Sequence, residues 1–408
     1  MSDQRVAVTG LGLVTPAGDS PQAVWETLCA GRSLAARDPA LAGLSVDFSC
    51  QVSGFDAVTE LGVRMSRRLD RFAHLGLAAA RRAVRDAGLA PHEWAAERVG
   101  VVLGVSSNSL QTYAQEFSQL GGGRPSAVSP LALARSIPSQ LAGEVAIDLG
   151  ARGPNFVTTS ACASSMTAIG VARDLIRAGT CDIVLTGGGE SPRAPMNVAC
   201  LTQMKALSRE CPAGPGSASR PFDVDRGGLV LGEGAAVLAL ESAAHARARG
   251  ARVRAFVRGY GASADAYHPI APHPGGRGAE QALRSALADA GCAPADVDHV
   301  SAHGTGTRRG DAVEADVLLR VFGTPPVVTA AKSVVGHAMG AAGALATAFT
   351  LLAMEHQAVP PTANLAEQEA GRELDIPTGR HRRLPVGTAV VNAFGFGGQN
   401  AVLLLTAP

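Results

Sequence analysis

The chain has 408 residues, and 36 Lys plus Arg against 35 Asp plus Glu leave a formal net charge of +1. That balance excludes a disordered polyelectrolyte and a general nucleic-acid coat, which need a strong charge of one sign. Hydrophobic residues make up 46% and aromatics only 4%, with 48 glycines, so small side chains must fill a core that buries roughly 75% of the unfolded surface.

Seven cysteines (Cys29, Cys50, Cys162, Cys181, Cys200, Cys211 and Cys292) are spread without CxxC pairs, which argues against a disulfide framework and a structural zinc site. The first residues, MSDQRVAVTG, lack a basic stretch followed by an apolar one, and a cytoplasmic location is expected.

In chain order, Val6–Leu11 reads as a buried strand and Pro21–Gly31 as a helix. Leu69–Leu89 has apolar residues at helical spacing and ends in Asp86-Ala87-Gly88, a helix stop. Val99–Val105 is β-branched without alternation, as in a strand covered on both faces. Asn155–Thr159 leads into Ala161-Cys162-Ala163-Ser164-Ser165, and Met166–Ala178 is helical. Ile183–Thr186 and Gly234–Leu240 are strands, and Ser242–Arg249 is a helix. A second series follows: strands at Val253–Val257, Val297–Ser301, Val327–Thr329, Val386–Asn392 and Val402–Leu405, with helices near Leu283, Val317 and Ala346. Ala338–Met354 carries no charge but is short for a membrane span and rich in Ala and Gly, so it is expected to be a core helix. Alternation of strands and helices implies an α/β fold, and two similar series imply a duplication with its boundary near residue 250.

Four segments carry candidate chemistry. Cys162 stands where a strand turns into a helix; the helix dipole and free N–H groups there favour a thiolate, although a free cysteine is as often a buried structural one. His303, in Ala302-His303-Gly304-Thr305-Gly306-Thr307, follows a strand, and Lys332 and His337 follow another. Each histidine is a candidate catalyst or a satisfied core residue. No third histidine or carboxylate stands at metal-ligand spacing beside them, so no metal is expected. Phe394-Gly395-Phe396-Gly397-Gly398-Gln399-Asn400 is either a ligand-contacting backbone loop or a hairpin with buried aromatics. Gly10-Leu11-Gly12 fails dinucleotide-loop spacing, since position 15 is Thr.

These segments, with Val6–Gly12, Thr15-Pro16-Ala17-Gly18, Ser219-Arg220-Pro221-Phe222-Asp223 and Gly232-Glu233-Gly234-Ala235, resemble the elongating β-ketoacyl carrier-protein synthases of the thiolase superfamily, including the ketosynthases of type II polyketide synthases. The resemblance implies a duplicated five-layer α/β/α/β/α thiolase fold, with residues 1–250 carrying the nucleophile and 251–408 both histidines. It implies a decarboxylative Claisen condensation between an acyl group on Cys162 and a malonyl unit on a carrier protein. His303 and His337 would polarise the malonyl thioester, Lys332 would supply positive charge, and Glu314 would pair with Lys332. Backbone N–H groups of Cys162 and Phe396 would form an oxyanion hole. Thr305 and Thr307 match residues that bond the pantetheine arm. Phe396 matches a gate, and Asp265 and His268 a mobile loop that moves with it. Arg64, Arg67, Arg68 and Lys205 match a patch that meets an acidic carrier protein. Ser107, Gln111, Thr202 and Met204 are expected near the acyl pocket.

By the same resemblance no cofactor beyond carrier-bound phosphopantetheine is needed. The expected partners are an acyl carrier protein and a second ketosynthase chain, identical or of the chain-length-factor kind; neither nucleic acid nor membrane is expected. Two positions depart from the pattern. Ala346 replaces a usual glutamate, which implies a network around His337 that is rearranged or else satisfied by water or a partner chain, and Gln399 stands where Thr or His is commoner. Both point away from housekeeping fatty-acid synthesis towards polyketide synthesis. A coenzyme A-dependent thiolase-like acyltransferase is the alternative, but it needs a late second cysteine and none follows Cys292.

Overall fold

Continuous apolar runs have no polar face to offer water, so they form strands covered on both sides. Ten of them make one sheet in a computed structural model, which describes residues 5–107, 109–209 and 211–408. They are β1 (Val6–Val14), β2 (Val99–Gly104), β3 (Asn155–Thr158), β4 (Ile183–Glu190), β5 (Gly234–Ser242), β6 (Ala255–Ala264), β7 (His299–Ser301), β8 (Val327–Thr329), β9 (Thr388–Gly395) and β10 (Gln399–Thr406). Their spatial order is β8-β7-β9-β10-β6-β1-β5-β4-β2-β3.

Read outward from the centre, β1-β5-β4-β2-β3 and β6-β10-β9-β7-β8 are the same path. The directions match too. The first two pairings of each half are antiparallel and the last two parallel. The two half-sheets are joined into one by the pairing of β1 with β6, at Ala7↔Phe256 and Val8↔Ala255. Helices Ser164–Arg177 and Ala342–His356 lie between the two half-sheets. Helices Arg71–Asp86 and Gln140–Leu149 cover one outer face, and Arg277–Ala290 and Arg308–Phe322 the other. The five layers of a duplicated thiolase fold are thus present.

The apolar run after residue 338 is the inner helix Ala342–His356, with Ala342 through Met354 all buried. No helix of the described residues is long and apolar enough to cross a membrane. Two boundaries differ from the sequence reading for one reason, close backbone approach. β4 does not stop at Thr186 but continues through Gly187-Gly188-Gly189 to Glu190, because a Cβ at Gly188 would fall 2.4 Å from the Gly104 carbonyl of β2. β6 likewise runs on to Ala264, where a Cβ at Gly261 would fall 2.1 Å from the Ala282 carbonyl oxygen. Helices Leu110–Gly121 and Pro195–Gln203 carry many exposed positions and lack a clean apolar stripe, and the sequence reading missed them.

Candidate active site

Connections at the carboxyl ends of β3, β7 and β8 converge, and the β9–β10 hairpin closes on them. Cys162 occupies a single 3-10 turn, Ala161–Ala163, between β3 and the inner helix. Ala161 adopts φ +49°, a left-handed conformation that costs an alanine about 1–3 kcal/mol. The Ser164 hydroxyl holds that elbow: it accepts from Ser160 N–H (2.9 Å) and donates to the Ala161 carbonyl (2.6 Å). Gly395 sits against it, since a Cβ there would meet Cys162 N at 3.1 Å.

His303 lies two residues past β7. Its N–H and that of Gly304 each donate to a Glu314 carboxylate oxygen at 2.8 Å, and Asn392 Nδ2 donates to the same carboxylate at 3.0 Å. Lys332 Nζ donates to the His303 carbonyl at 2.6 Å. Lys332 and Glu314 both hold the His303 segment, and each charge is felt at the other. Glu314 is occupied by two backbone donors, and the lysine reaches the carbonyl between them and the site. His337 is fixed by its main chain, with its N–H on Val230 O (2.7 Å) and its carbonyl taking Gly232 N–H (3.0 Å).

The side chains meet. His337 Nε2 lies 3.2 Å from Cys162 Sγ. The two imidazoles stand edge to face, 5.5 Å between centroids, and His303 packs on Phe394 at 5.9 Å. Sγ and the nearest ring nitrogens all fall within 4.8 Å of one another, the sole three-donor cluster among the described residues. Folding thus brings together three zinc-type ligands that no linear spacing announced.

Burial governs the electrostatics. It pushes the Cys162 thiol up to about 11 despite the opposing pull of Lys332 and the Phe396 and Cys162 N–H groups. Desolvation outweighs the pull towards thiolate that the helix start and its N–H groups exert. Burial also holds His303 and His337 well below the usual imidazole range, with Lys332 adding repulsion. Lys332 itself falls to about 8. The resting centre is a neutral thiol between two neutral imidazoles.

A cavity opens on Cys162, His303 and His337 and is walled by Phe394, Phe396, Thr305, Thr307, Glu314 and Asp265. The Thr305 and Thr307 hydroxyls lie 3.0 Å apart on one wall. Asp265 takes Asn400 Nδ2 at 2.8 Å and His273 N–H at 2.9 Å. His268 stays outside the cavity walls; its exposed ring accepts Ile270 and Ala271 N–H groups. Arg64, Arg67 and Arg68 share a separate surface groove with Leu131, where Arg68 is already paired with Glu144. Lys205 is exposed just past the helix Pro195–Gln203.

Asp311 was missed by the sequence reading. This buried carboxyl, raised to about 7, accepts the N–H groups of Phe222 (2.8 Å), Thr305 (3.1 Å) and Gly306. Its signal was its place one turn before Glu314 on the same helix face. The helix Ala342–His356 packs Ala346 in apolar core, and no side chain takes over from the usual glutamate: His337 Nδ1 is buried without a partner among the described residues. Gln399 pairs with Gly395 at the mouth of the hairpin.

Residues 3–246 match the family described as Beta-ketoacyl synthase, N-terminal domain, and residues 254–366 its C-terminal domain. The chain is 37% identical to the 3-oxoacyl-[acyl-carrier-protein] synthase 2 of Synechocystis sp. (strain ATCC 27184 / PCC 6803 / Kazusa), covering 99% of this chain and 98% of that one. It is 36% identical to the protein of that name from Staphylococcus aureus (strain COL), over 98% of both. A solved structure of the ishigamide ketosynthase/chain length factor superposes with a TM-score of 0.93 at 34% identity, covering 100% of both chains.

Proposed function

Because the chain belongs to the β-ketoacyl synthase family, and is thus an acyltransferase of fatty-acid or polyketide assembly, we propose that Cys162, His303 and His337 carry its condensation. The observation behind this is the 3.2 Å contact of His337 Nε2 with Cys162 Sγ beneath the Phe396 and Cys162 N–H groups. In the first stage Cys162 attacks the thioester carbon of an acyl-pantetheine. Its proton passes to the departing pantetheine sulfur, and the two N–H groups hold the oxyanion. In the second, a malonyl thioester occupies the same cavity. Its carboxylate bond breaks to release CO2, and the electron pair remains at the adjacent carbon. That carbon bonds to the acyl carbon while the Cys162 sulfur departs. Neutral imidazoles suit this step, since each offers one N–H to the thioester oxygen as enolate charge builds. Lys332 and Glu314 position His303 through its main chain. The reaction as written needs neither metal nor organic cofactor.

Thr305 and Thr307 line the arm's path, Phe396 and Asp265 flank the gate, and the groove of Arg64, Arg67 and Arg68, with Lys205, suits an acidic carrier protein. We divide the chain into halves 1–250 and 251–408, the first supplying Cys162 and the second both histidines. A second chain is supported by the outer strand β3, which ends the sheet with Phe156 38% exposed, and by Ile147, 70% exposed, on the helix packed against it. A chain-length-factor partner is the reading for polyketide assembly, and a second copy that for fatty-acid assembly.

The test is intact mass after incubation with acyl-carrier proteins and then malonyl-carrier protein, for the chain alone and with co-purified partners. Acylation at Cys162 and a carrier product longer by one malonyl-derived unit are expected. Product from the lone chain identifies a homodimer, and product only with a second protein identifies a heterodimer. No label at Cys162 in either case overturns the mechanism.

A further inference from the structure

Zinc takes a small set of donors: thiolate sulfur, imidazole nitrogen and, in an open site, a water in the fourth position. The loop ends described above supply three such side chains. Sγ of Cys162 and one ring nitrogen from each of His303 and His337 all lie within 4.8 Å of one another. Tetrahedral zinc holds its donors about 3.3–3.6 Å apart, as follows from bonds of about 2.3 Å to sulfur and about 2.0 Å to nitrogen. His337 Nε2 already stands 3.2 Å from Sγ. The other pairs need to close by about 1.5 Å at most. Side-chain rotation supplies that movement, because the main chain is pinned, His303 N–H on Glu314 and His337 N–H on Val230 O.

The two carboxylates on the cavity wall are engaged. Glu314 accepts from His303 N–H, Gly304 N–H and Asn392, and Asp265 from Asn400 and His273 N–H. The fourth position is therefore left to water entering from the cavity. The site also lacks what makes a zinc permanent. Imidazole ligands of resident zinc donate their second ring N–H to an acceptor, and losing that acceptor costs about 10–100-fold in affinity. Here Nδ1 of His303 and of His337 are both buried without a hydrogen-bond partner among the described residues. The Lys332 ammonium, on the His303 carbonyl at 2.6 Å, adds like charge beside the ion. Three good ligands without outer support make a site that binds and releases.

We propose that Cys162, His303 and His337 form a reversible inhibitory site for zinc(II), with water as the fourth ligand. As the Sγ–zinc bond forms, the thiol proton leaves to solvent, and nothing is oxidised or reduced. The sulfur electron pair that would attack a thioester is then committed to the metal. The inhibition, though not the binding, rests on Cys162 being the acyl acceptor. An acylated Cys162 has no sulfur to offer, so zinc and the acyl group exclude each other.

The test strips the protein with EDTA, titrates it with zinc by equilibrium dialysis, and repeats the titration with cobalt(II) as a spectroscopic stand-in. One zinc per chain is expected, with a thiolate-to-cobalt charge-transfer band and the intense visible bands of a tetrahedral ion. Zinc should block alkylation of Cys162 by iodoacetamide, and EDTA should restore it. Cys162→Ala, His303→Ala and His337→Ala should each weaken binding about 100-fold or more, beyond the cost of losing an outer partner. Cys200→Ser removes an exposed thiol and should leave binding unchanged. Equal zinc affinity in Cys162→Ala, or a cobalt spectrum without the thiolate band, overturns the site. Zinc that EDTA does not remove overturns its reversibility. Metal-free protein acylated at Cys162 at the same rate with and without zinc overturns the inhibition and leaves the acceptor reading intact. Protein that binds zinc through Cys162 but is never acylated overturns the acceptor reading and leaves the site.

Discussion

One half of the molecule contributes Ser106 and Glu190 to a convergence completed by Gly340 of the other; that other half contributes His303 and Gly395 to a centre completed by Cys162 of the first. The backbone paths are the same, strand for strand. Where Cys162 presents a thiol, the equivalent Gly340 presents only main chain, and where His303 presents a ring, Ser106 presents a hydroxyl. The duplicated scaffold therefore fixes where loops converge, and a handful of side chains decides which convergence does chemistry. Both convergences press glycine onto a neighbouring turn, Gly395 on Cys162 and Gly340 on Ser106. Close approach is the shared demand, and reactivity is the difference.

The strongest way to break this contrast is to erase it. Cys162→Gly makes the first site resemble the second and is expected to abolish acyl transfer, read as loss of any mass label. His303→Ala and His337→Ala should each cut condensation about 10²–10⁴-fold, the range for a positioned proton donor. They should spare acylation more than condensation. Equal loss of both steps would mean that the histidines serve the thiol alone.

A subtler contrast is electrostatic. The active convergence holds a cation, Lys332, and the other an acid, Glu190. Since burial raises Cys162 to about 11 and keeps both imidazoles neutral, alkylation of Cys162 by iodoacetamide should climb about tenfold per pH unit from neutrality. The climb should flatten as Lys332 loses its proton near 8 and its pull on the thiolate. Lys332→Ala should be slower below that point and lack the break. A plateau already at pH 6 would reveal a thiolate–imidazolium pair and contradict the neutral centre.

How much of this was readable beforehand follows from the physics of each feature. The strands were legible because uninterrupted Val, Leu and Ala runs permit little else. Cys162, His303 and His337 were legible by their contexts at strand ends. The carboxylate network was not. Asp311 and Glu190 are short polar interruptions in apolar surroundings, and their meaning lies in the backbone donors that folding delivers to them. The balance at the thiol was legible only in part, because a helix start is visible in sequence whereas complete desolvation is a property of the packed core.

A close-packing test comes next in size. Gly340→Ala forces a methyl into Ser106 N and the Glu190 carboxylate. It should destabilise the fold by about 1–3 kcal/mol, the usual penalty for overpacking. Denaturant midpoints would show it, and a neutral result would mean that the contact yields without strain.

The smallest expected effect separates the two convergences by pH. Glu190 rises from 4.5 to about 7 because burial penalises its anion more than the Ser106 and Gly340 donors reward it. A carboxyl raised in the fold binds its proton more tightly there than in the unfolded chain. Its contribution to stability is complete below 4.5 and is lost as pH rises through 7. Glu190→Gln has no proton to lose, so its stability relative to wild type should grow between pH 5 and pH 8. The shift allows about 3 kcal/mol at most, and relaxation around the anion should leave roughly 1–2 kcal/mol. Asp311 is raised in the same direction, but it is present in both proteins and cancels in the difference. Paired thermal melts of the two proteins across that range measure the effect. A constant offset would mean that the carboxylate, held by the two Ser106 donors, is as well solvated in the fold as in water.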